Sequence, residues 1–432
     1  MRSQTVSTKL QRIAQQAKQY PKHVFTSLMH LIDVDFLHVA YELTRKDGAS
    51  GIDGMTASLY AKDLDGNLNN LLERMKSGKY YAPPVKRVWI DKEDGKQRPL
   101  GITTFEDKVV QRAVVMLLSA VFEHDFYDFS HGFRPRRSAH HALQEVRERC
   151  RLQNIQRIVD ADVSGYFDNI DHELLRRFIK RRVNDGTLIR FVGKWLNAGI
   201  LDGNSLSYPV QGTPQGGVIS PVLANIFLHN VLDDWFIKEV SPRMRARCFL
   251  VRYADDFIIG CESQSDANRI MEVLPKRFNR FKLTIHPQKT KLVTFAKPSY
   301  SNQFGKDNET FDFLGFTHYW GKSRRGYWVI KKKTMKKRLR RSIKVIWDWC
   351  RINRHKPLPE QHRTLCQKLE GHYQYYGVTG NSVAMSKVAK RTTEAWNYWL
   401  SRRSHKSYIN WDGFKRLLTK FPLSVPHVIH AI

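Results

Sequence analysis

The sequence contains few cysteines, and none of them are spaced to hold a metal. The five thiols, in 432 residues, are scattered without a C-x-x-C pair: Cys150, Cys248, Cys261, Cys350 and Cys366. This spacing argues against a disulfide framework and against a structural zinc site, and predicts reduced, mostly buried thiols. We therefore expect a cytosolic protein.

Long apolar runs are also absent from the sequence. No stretch approaches the roughly 18 unbroken apolar residues that a membrane span requires. The N-terminal residues 1–25 are polar and basic and have no apolar segment typical of a secretory signal. The sequence thus predicts a soluble protein without a membrane partner.

Acidic residues are few compared with basic ones. Asp and Glu number 41 against 72 Lys and Arg, which gives a formal net charge of +31, while 41% of the residues are hydrophobic and 12% aromatic. A folded surface with this charge repels itself unless a polyanion neutralises part of it. Nucleic acid is the usual partner, because each neutralised phosphate releases a condensed counterion. By composition alone, a protein that merely coats nucleic acid fits equally well.

Hydrophobic periodicity predicts alternating helices and strands. Helices are expected over residues 8–18, 24–45, 57–75, 106–122, 172–183, 225–237 and 266–281. Strands are expected over 85–90, again after a turn at Asp94–Gly95, over 155–163, in a hairpin over 248–261, and over 283–295. This pattern predicts an α+β fold with a mixed or antiparallel sheet and helices packed on one side.

The sharpest chemical signal is RYADDF at residues 252–257, with apolar residues on both sides. These flanks predict that Asp255 and Asp256 lie at a tight turn between buried strands. Burying adjacent carboxylates is costly unless a cation compensates them. A divalent metal such as Mg2+ would do so, although a solvated hairpin with an ADD turn is the ordinary alternative.

A second acidic cluster lies in IVDADVSGYFD, residues 158–168. Asp160 and Asp162 fall on one face of the predicted strand because side chains alternate along a strand. A carboxylate at a strand end that meets a hairpin bearing two more suits two-metal phosphoryl transfer, with ions roughly 3.5–4 Å apart. Asp162 is the preferred ligand and Asp160 the alternative, whereas Asp168 is expected to cap the next helix.

A turn rich in glycine and proline, QGTPQGGVISP at residues 211–221, leads into a helix. Its backbone can approach a ligand closely, and Gln215 could bind a nucleotide there. A purely structural turn is the alternative.

These segments together resemble the reverse transcriptases encoded by group II introns. The resemblance covers roughly residues 30–420 and rests on blocks in the family's order. The blocks are GASGIDG, RPLGITTFEDKVVQ, SHGFRPRRSAHHAL, DADVSGYFDNIDH, QGTPQGGVISPVLANIFL, YADDF, LTIHPQKTKL and FDFLGF. Arg136 departs from the family, which commonly has glycine there.

The resemblance implies roles for individual residues. Asp162, Asp255 and Asp256 match the catalytic aspartates that bind two Mg2+ ions, for which Mn2+ could substitute. The residues that match the binding site for the incoming deoxynucleoside triphosphate are Lys92, Arg98, Tyr166, Phe167, Gln215 and Lys289. Either Tyr166 or Phe167 would exclude a 2′-hydroxyl, and Lys289 could protonate leaving pyrophosphate.

A basic run follows near residue 331, with cations at helical spacing. Its cations are Lys331, Lys332, Lys333, Lys336, Lys337, Arg338, Arg340 and Arg341. Binding to nucleic-acid phosphates is favoured over a merely solvated face. The aromatic segments 371–377 and 396–399 could stack on unpaired bases, although helical aromatics more often belong to a core.

The resemblance also predicts a domain order and a biological role. We expect a basic helical extension at 1–24, fingers and palm at 25–320, and a helical thumb and maturase domain at 321–432, without an endonuclease domain. The predicted partners are an RNA template, intron RNA, a DNA primer or target and dNTPs, in the bacterial cytosol near the nucleoid. Alternatives are a splicing protein with an inactive polymerase and a domesticated relative in CRISPR adaptation or phage defence.

Overall fold

The computed structural model describes residues 2–91, 97–203, 205–208, 211–213, 216–298, 309–404 and 408–432. The chain divides into two units. The first comprises Met1–Ser138, Ala161–Ile259 and Ser265–Lys291, and the second comprises Ala139–Asp160, Gly260–Gln264 and Leu292–Ile432. Within the described ranges, no helix has the length and apolar character needed to cross a membrane.

The α-helices are numbered in chain order. They are α1 (Arg2–Gln19), α2 (Val34–Glu42), α3 (Ala57–Tyr60), α4 (Leu64–Lys76), α5 (Phe105–Phe122), α6 (Ala139–Leu152), α7 (His172–Lys180), α8 (Gly186–Leu196), α9 (Ser220–Leu228), α10 (Gln264–Asn279), α11 (Lys336–Ile352), α12 (Leu358–Tyr376), α13 (Ser382–Leu400) and α14 (Trp411–Lys420). Two π-helical segments, His229–Asp233 and Phe236–Val240, follow α9.

The strands form three sheets and one isolated pair. They are β1 (Val85–Asp91), β2 (Gln97–Ile102), β3 (Arg157–Ala161), β4 (Val163–Ser164), β5 (Ile200–Asp202), β6 (Ser205–Ser207), β7 (Cys248–Tyr253), β8 (Asp256–Cys261), β9 (Thr284–Ile285), β10 (Lys291–Thr294), β11 (Phe311–Phe313), β12 (Phe316–Lys322) and β13 (Trp328–Thr334). The sheet orders are β2-β1-β5-β6, β10-β3-β8-β7 and β11-β12-β13, with β4 paired to β9. The predicted α+β class, with a helical C-terminal region, is confirmed.

Helix α5 forms the centre of the first unit. Val110, Val114 and Leu117 recur at helical spacing and are fully buried. The Thr104 side chain accepts a hydrogen bond from the backbone N–H of Asp107 and so caps the helix at its predicted start. Helices α1, α2 and α9 pack against α5.

A buried polar network ties α5 to its surroundings. The Asp107 carboxylate accepts hydrogen bonds from the Tyr80 hydroxyl, from Nε1 of Trp195 (2.7 Å) and from Nε2 of Gln111 (2.8 Å). Burial raises the pKa of Asp107 to about 6 despite these donors. The Gln111 side-chain oxygen accepts from the backbone N–H of Ile219, so the network also holds the start of α9.

The second unit has its own helical core, formed by α11, α12 and α13. Tyr373 and Trp396 are fully buried there, and Nε1 of Trp396 donates to Oε1 of Gln361 at 3.0 Å. Both aromatics come from segments that the sequence left open between base stacking and core. For these two residues the core interpretation is confirmed, whereas Tyr398 is 40% exposed.

The single helix predicted over residues 24–45 is wrong. Only Val34–Glu42 is helical, after a 3-10 turn at Met29–Leu31. The distant Asp185 carboxylate accepts hydrogen bonds from the backbone N–H groups of Leu28 and Met29, at 2.7 and 2.8 Å. This contact stabilises a turn where local propensity favours a helix.

The basic run is only partly helical. Residues 331–334 belong to β13, which pairs with β12, and α11 begins at Lys336. The predicted domain boundary between residues 320 and 321 therefore falls inside β12. Because side chains alternate along β13, Lys332 points inward and is only 1% exposed.

Candidate active site

The first predicted carboxylate, Asp162, lies between two short strands. β3 ends just before it and β4 begins just after it. Its backbone N–H donates to Oγ1 of Thr290 at 3.4 Å, and its carbonyl accepts from the N–H of His286 at 2.8 Å. The side chain is still 37% exposed. The backbone is thus fixed while the carboxylate remains accessible.

The two other aspartates follow β7 at a tight turn. Ala254 there has φ +58°, in the left-handed region. A Cβ on Gly132 would lie 2.2 Å from the backbone nitrogen of Ala254, so only glycine allows this close approach. Asp255 is partly buried in the turn, whereas Asp256 begins β8 and is exposed.

A buried ion pair supports this turn. Arg252 is fully buried, and its Nε and Nη2 donate to the fully buried Asp233 carboxylate at 2.9 and 2.6 Å. Its Nη1 donates to Oδ1 of Asn225 at 3.0 Å and to the carbonyl of Ala254 at 2.9 Å. The Asn225 amide in turn donates to the carbonyl of Gly132 at 2.7 Å. The network therefore connects the turn at Ala254 to the segment that contains Gly132.

The electrostatics of Asp255 connect the separate segments. Burial raises the pKa of Asp255, and the negative charge of Asp162 acts in the same direction. The positive charges of Arg98 and Arg252 oppose the shift. The charges of Asp162 and of the β2 residue Arg98 therefore both act on Asp255.

Lys289 lies beside the first carboxylate. Its Nζ is 3.2 Å from Oδ2 of Asp162, and its side chain is 59% exposed. An exposed ion pair of this kind is weak and easily exchanged for another partner. The ammonium can therefore move from the carboxylate to a phosphate without a large energetic penalty.

The two aromatic residues predicted to contact the nucleotide sugar differ in their exposure and hydrogen bonding. Tyr166 is 2% exposed, and its hydroxyl donates to the carbonyl of Ala224 at 2.6 Å. Phe167 packs edge-on against Tyr166 at 5.3 Å between ring centroids and is 9% exposed. Its carbonyl accepts from the N–H of Thr213 at 2.7 Å, which connects it to the 211–213 turn.

The structure describes some of the other residues predicted at the site and leaves others outside its described ranges. Lys92 and Gln215 lie outside the described residues. Arg98 is exposed on β2, opposite Ile90 on β1. The cap of α7 is Asp171 and not Asp168, because Asp171 accepts from the N–H of Leu174 at 2.9 Å.

The acids do not form a closed metal cage. Among the residues that the structure describes, no group of three or more His, Cys, Asp or Glu side chains is arranged to hold a metal ion. The Asp162 and Asp255 carboxylates are hard oxygen donors. This donor set fits Mg2+, which takes one or two carboxylates and completes its shell with water and substrate phosphates.

Comparison with known proteins identifies the family. A family model described as reverse transcriptase (RNA-dependent DNA polymerase) matches residues 90–318, more than half of the chain. The chain belongs to the reverse transcriptase family. All three aspartates lie inside the matched span.

The chain is similar to several known proteins, two of which are named for introns. It is 33% identical over 354 residues to the group II intron-encoded protein LtrA of Lactococcus lactis subsp. cremoris, covering 67% of this chain and 58% of LtrA. It is also 33% identical over 273 residues to protein YkfC of Escherichia coli (strain K12), covering 56% of this chain and 71% of YkfC. A shorter match, 28% over 88 residues, covers 20% of this chain and 12% of nuclear intron maturase 1 of Arabidopsis thaliana. The chain is thus similar to a group II intron-encoded protein over much of its length, and it spans less than two thirds of LtrA.

The sequence pattern does not single out the residues that support the turn. Arg252 directly precedes YADD, and Gly132 belongs to the SHGF block, so both are members of motifs without a role of their own in the prediction. Asn225 likewise belongs to the QGTPQGGVISPVLANIFL block, whereas Asp233 lies in none of these blocks, and its role depends on contact with Arg252.

The basic run near residue 331 presents most of its cations to solvent. The exposed members are Lys333, Lys336, Lys337, Arg338, Arg340 and Arg341, and Lys331 is partly exposed. Lys332 is buried, with no hydrogen-bond partner for its Nζ among the described residues. Burial lowers the pKa of Lys332 to about 8. Lys332 therefore cannot contact a phosphate in this structure, contrary to its predicted role.

We predict that Arg252→Met destabilises the fold by about 3–5 kcal/mol, because it leaves the Asp233 carboxylate buried without its cation. Urea unfolding followed by circular dichroism measures the effect. The double variant Arg252→Met with Asp233→Leu should recover much of the stability, since both charges are then removed. A single variant as stable as the unchanged protein would contradict the role of the pair.

Proposed function

We propose that this site is the catalytic centre of an RNA-directed DNA polymerase. A primer 3′-hydroxyl would attack the α-phosphate of a deoxynucleoside triphosphate in line, form the new phosphodiester bond and release pyrophosphate. The observation that carries the proposal is that β3 and β8 are neighbours in one sheet, since Asp162 directly follows β3 and Asp255 directly precedes β8. The protein would contribute mainly positioning and electrostatics.

The proposed cofactor is a pair of Mg2+ ions, for which Mn2+ could substitute. The raised pKa of Asp255 supports a cation at this position, because burial and Asp162 together leave its negative charge under-compensated. Asp162 and Asp255 would be the principal ligands, and the exposed Asp256 the third. When bound, the ions would activate the primer hydroxyl and neutralise the departing pyrophosphate.

The cations around the acids suit a triphosphate. Arg98 is exposed on β2 and its charge already acts on Asp255. Lys289 could exchange its ion pair with Asp162 for a phosphate oxygen and donate a proton to the leaving pyrophosphate. Lys92 and Gln215 keep their predicted roles at the triphosphate and beside the nucleotide pocket.

Of the two aromatic residues, Phe167 is the better choice for the sugar gate. The Tyr166 hydroxyl is committed to the Ala224 carbonyl, and the ring is buried, so it supports the core. Phe167 has no polar atom on its side chain and keeps some exposure beside the 211–213 turn. A ring there would clash with a ribose 2′-hydroxyl without satisfying its hydrogen bonds.

We propose an RNA-binding maturase surface on α11 and α12. A cavity of about 460 Å3 is lined there by Arg338, Arg341, Lys368, His372 and Tyr376, among others. Together with the exposed cations of the basic run, it could bind the phosphates of intron RNA. The proposed domains are the N-terminal extension (1–24), fingers and palm (25–320), and thumb and maturase (321–432).

The biological setting that we propose is group II intron splicing and mobility, with a DNA primer or target. The names of LtrA and nuclear intron maturase 1 refer to introns, which favours this setting over CRISPR adaptation or phage defence. The three aspartates favour an active polymerase over a pure splicing protein.

We expect Asp255→Asn to lower primer extension on an RNA template by at least about 100-fold, the scale of removing one preorganised electrostatic group. RNA binding should remain nearly unchanged, because the substitution removes no cation. Gel-based extension with and without Mg2+ measures the first quantity and filter binding the second. Asp47→Asn, on an exposed residue paired with Arg45, is the control. Full extension by Asp255→Asn would refute the proposed centre.

Phe167→Ala should increase ribonucleotide incorporation, with discrimination between dNTPs and rNTPs reduced about 10- to 100-fold. The ratio of kcat/KM for the two nucleotides measures it. Tyr166→Phe keeps the ring and removes only the hydroxyl, and should leave this ratio unchanged. Unchanged discrimination in Phe167→Ala would refute this assignment of the gate.

The variant carrying Gln at Lys333, Lys336, Lys337 and Arg340 should bind intron RNA more weakly. The slope of log Kd against log salt should become less steep by roughly 0.7–0.9 for each phosphate that the variant no longer neutralises. Lys332→Met is the matched control within the same run, because its buried side chain cannot contact a phosphate. An unchanged slope in the fourfold variant would identify the run as a solvated face.

A further inference from the structure

A basic cavity outside the candidate active site lies between α7 and α8. Its volume is about 590 Å3, and its cationic lining residues are Arg176 and Lys180 of α7 and Arg190 and Lys194 of α8. Tyr81, which is 62% exposed, also lines it. None of these residues has a role in the catalysis proposed above.

The spacing of these cations disfavours a purely structural role. In each helix the two cations are four residues apart, and like charges at this spacing destabilise a helix. Among the described residues, no carboxylate forms an ion pair with any of the four. By contrast, Arg182, just beyond α7, is buried and paired with Asp125 at 2.9 Å. Four cations that repel one another around a cavity favour an anionic ligand.

Two of the cations are held in place before any ligand binds. Arg176 packs against α8 at Gly193, where a Cβ would lie 3.3 Å from its Nη2. The Arg176 Nε is buried and has no hydrogen-bond acceptor among the described residues. The Lys194 ammonium donates to the carbonyl of Tyr80 and lies 5.5 Å from the centroid of the Phe191 ring. Preorganised cations lose less freedom on binding than flexible ones.

We propose that this cavity binds the phosphodiester backbone of a single-stranded nucleic acid, with an unpaired base stacked on Tyr81. The inference rests on the proposed function in that the chain acts on nucleic acid. Four cations suit successive phosphates, and an exposed aromatic ring beside them suits base stacking. A duplex keeps its bases stacked inside, so the exposed ring favours a single strand.

The test compares two fourfold variants of the full chain, each with four fewer positive charges. The first carries Gln at Arg176, Lys180, Arg190 and Lys194. The control carries Gln at Lys238, Lys276, Lys356 and Lys415, each of which already forms an ion pair with a carboxylate. Binding of RNA and DNA 20-mers of one sequence is measured between 50 and 300 mM NaCl, roughly the range in which counterion release is resolved.

The cavity variant should make the log–log salt slope less steep by roughly 3, or about 0.7 for each of four phosphates neutralised on a single strand. The control should change it by less than half as much. Equal changes in both variants would overturn the proposal, since the effect would then follow net charge alone. A change confined to the RNA or to the DNA arm identifies which strand the cavity binds.

Two further measurements test whether misfolding causes the change in salt slope and where the strand binds. Lys180→Gln with Arg190→Gln leaves the packed Arg176 and Lys194 intact and should still flatten the slope by roughly half as much. Strands carrying 4-thiouridine or 4-thiothymidine should photocrosslink to the peptide that contains Tyr81; strands that bind without this crosslink would refute the site.

Primer extension by the unchanged chain is measured in parallel. Absence of extension would count against the polymerase, while the binding comparison would remain interpretable.

Discussion

The candidate active site depends on one buried ion pair, between Arg252 and Asp233. Both side chains are fully buried, and a charge in such a place is tolerated only when it is paired and hydrogen-bonded. The Arg252 guanidinium also donates a hydrogen bond to the Ala254 carbonyl. The ion pair therefore holds Ala254, whose backbone is in the left-handed region, next to Asp255. The position of Asp255 is therefore set from the protein interior, before any ligand arrives.

The same centre balances opposing charges. Asp162 and burial both disfavour ionised Asp255, whereas Arg98 and Arg252 favour it. Lys289 contacts Asp162 through an exposed ion pair, in which either partner can be exchanged. A fixed turn, supported by a buried cation, thus carries Asp255, while the outer partner of Asp162 is exchangeable. That combination suits a site that must bind and release a highly charged substrate in every cycle.

The sequence pattern predicted correctly those helices and strands whose structural determinants lie within a few residues of one another. The β1–β2 and β7–β8 hairpins and helix α5 have their periodicity, turn or cap within a few residues, and the structure confirms them. The helix predicted over 24–45 failed because a carboxylate about 157 positions away binds the backbone of Leu28. At Arg136 the structure explains a departure from the family pattern. The backbone φ of Arg136 is +58°, in the left-handed region that favours glycine, and glycine is the residue that the family commonly has at this position.

The basic run shows why residue type alone did not identify all the site residues. A helix and a strand distribute the same lysines differently, because the side-chain period changes from 3.6 to 2. Pairing of His318 on β12 with Lys332 on β13 turns Lys332 inward and its neighbours Lys331 and Lys333 outward. The buried ammonium then lies near a histidine whose pKa burial lowers to about 3, so two basic groups share an apolar interior. The surface charge available to RNA is therefore decided by strand pairing as well as by the count of lysines and arginines.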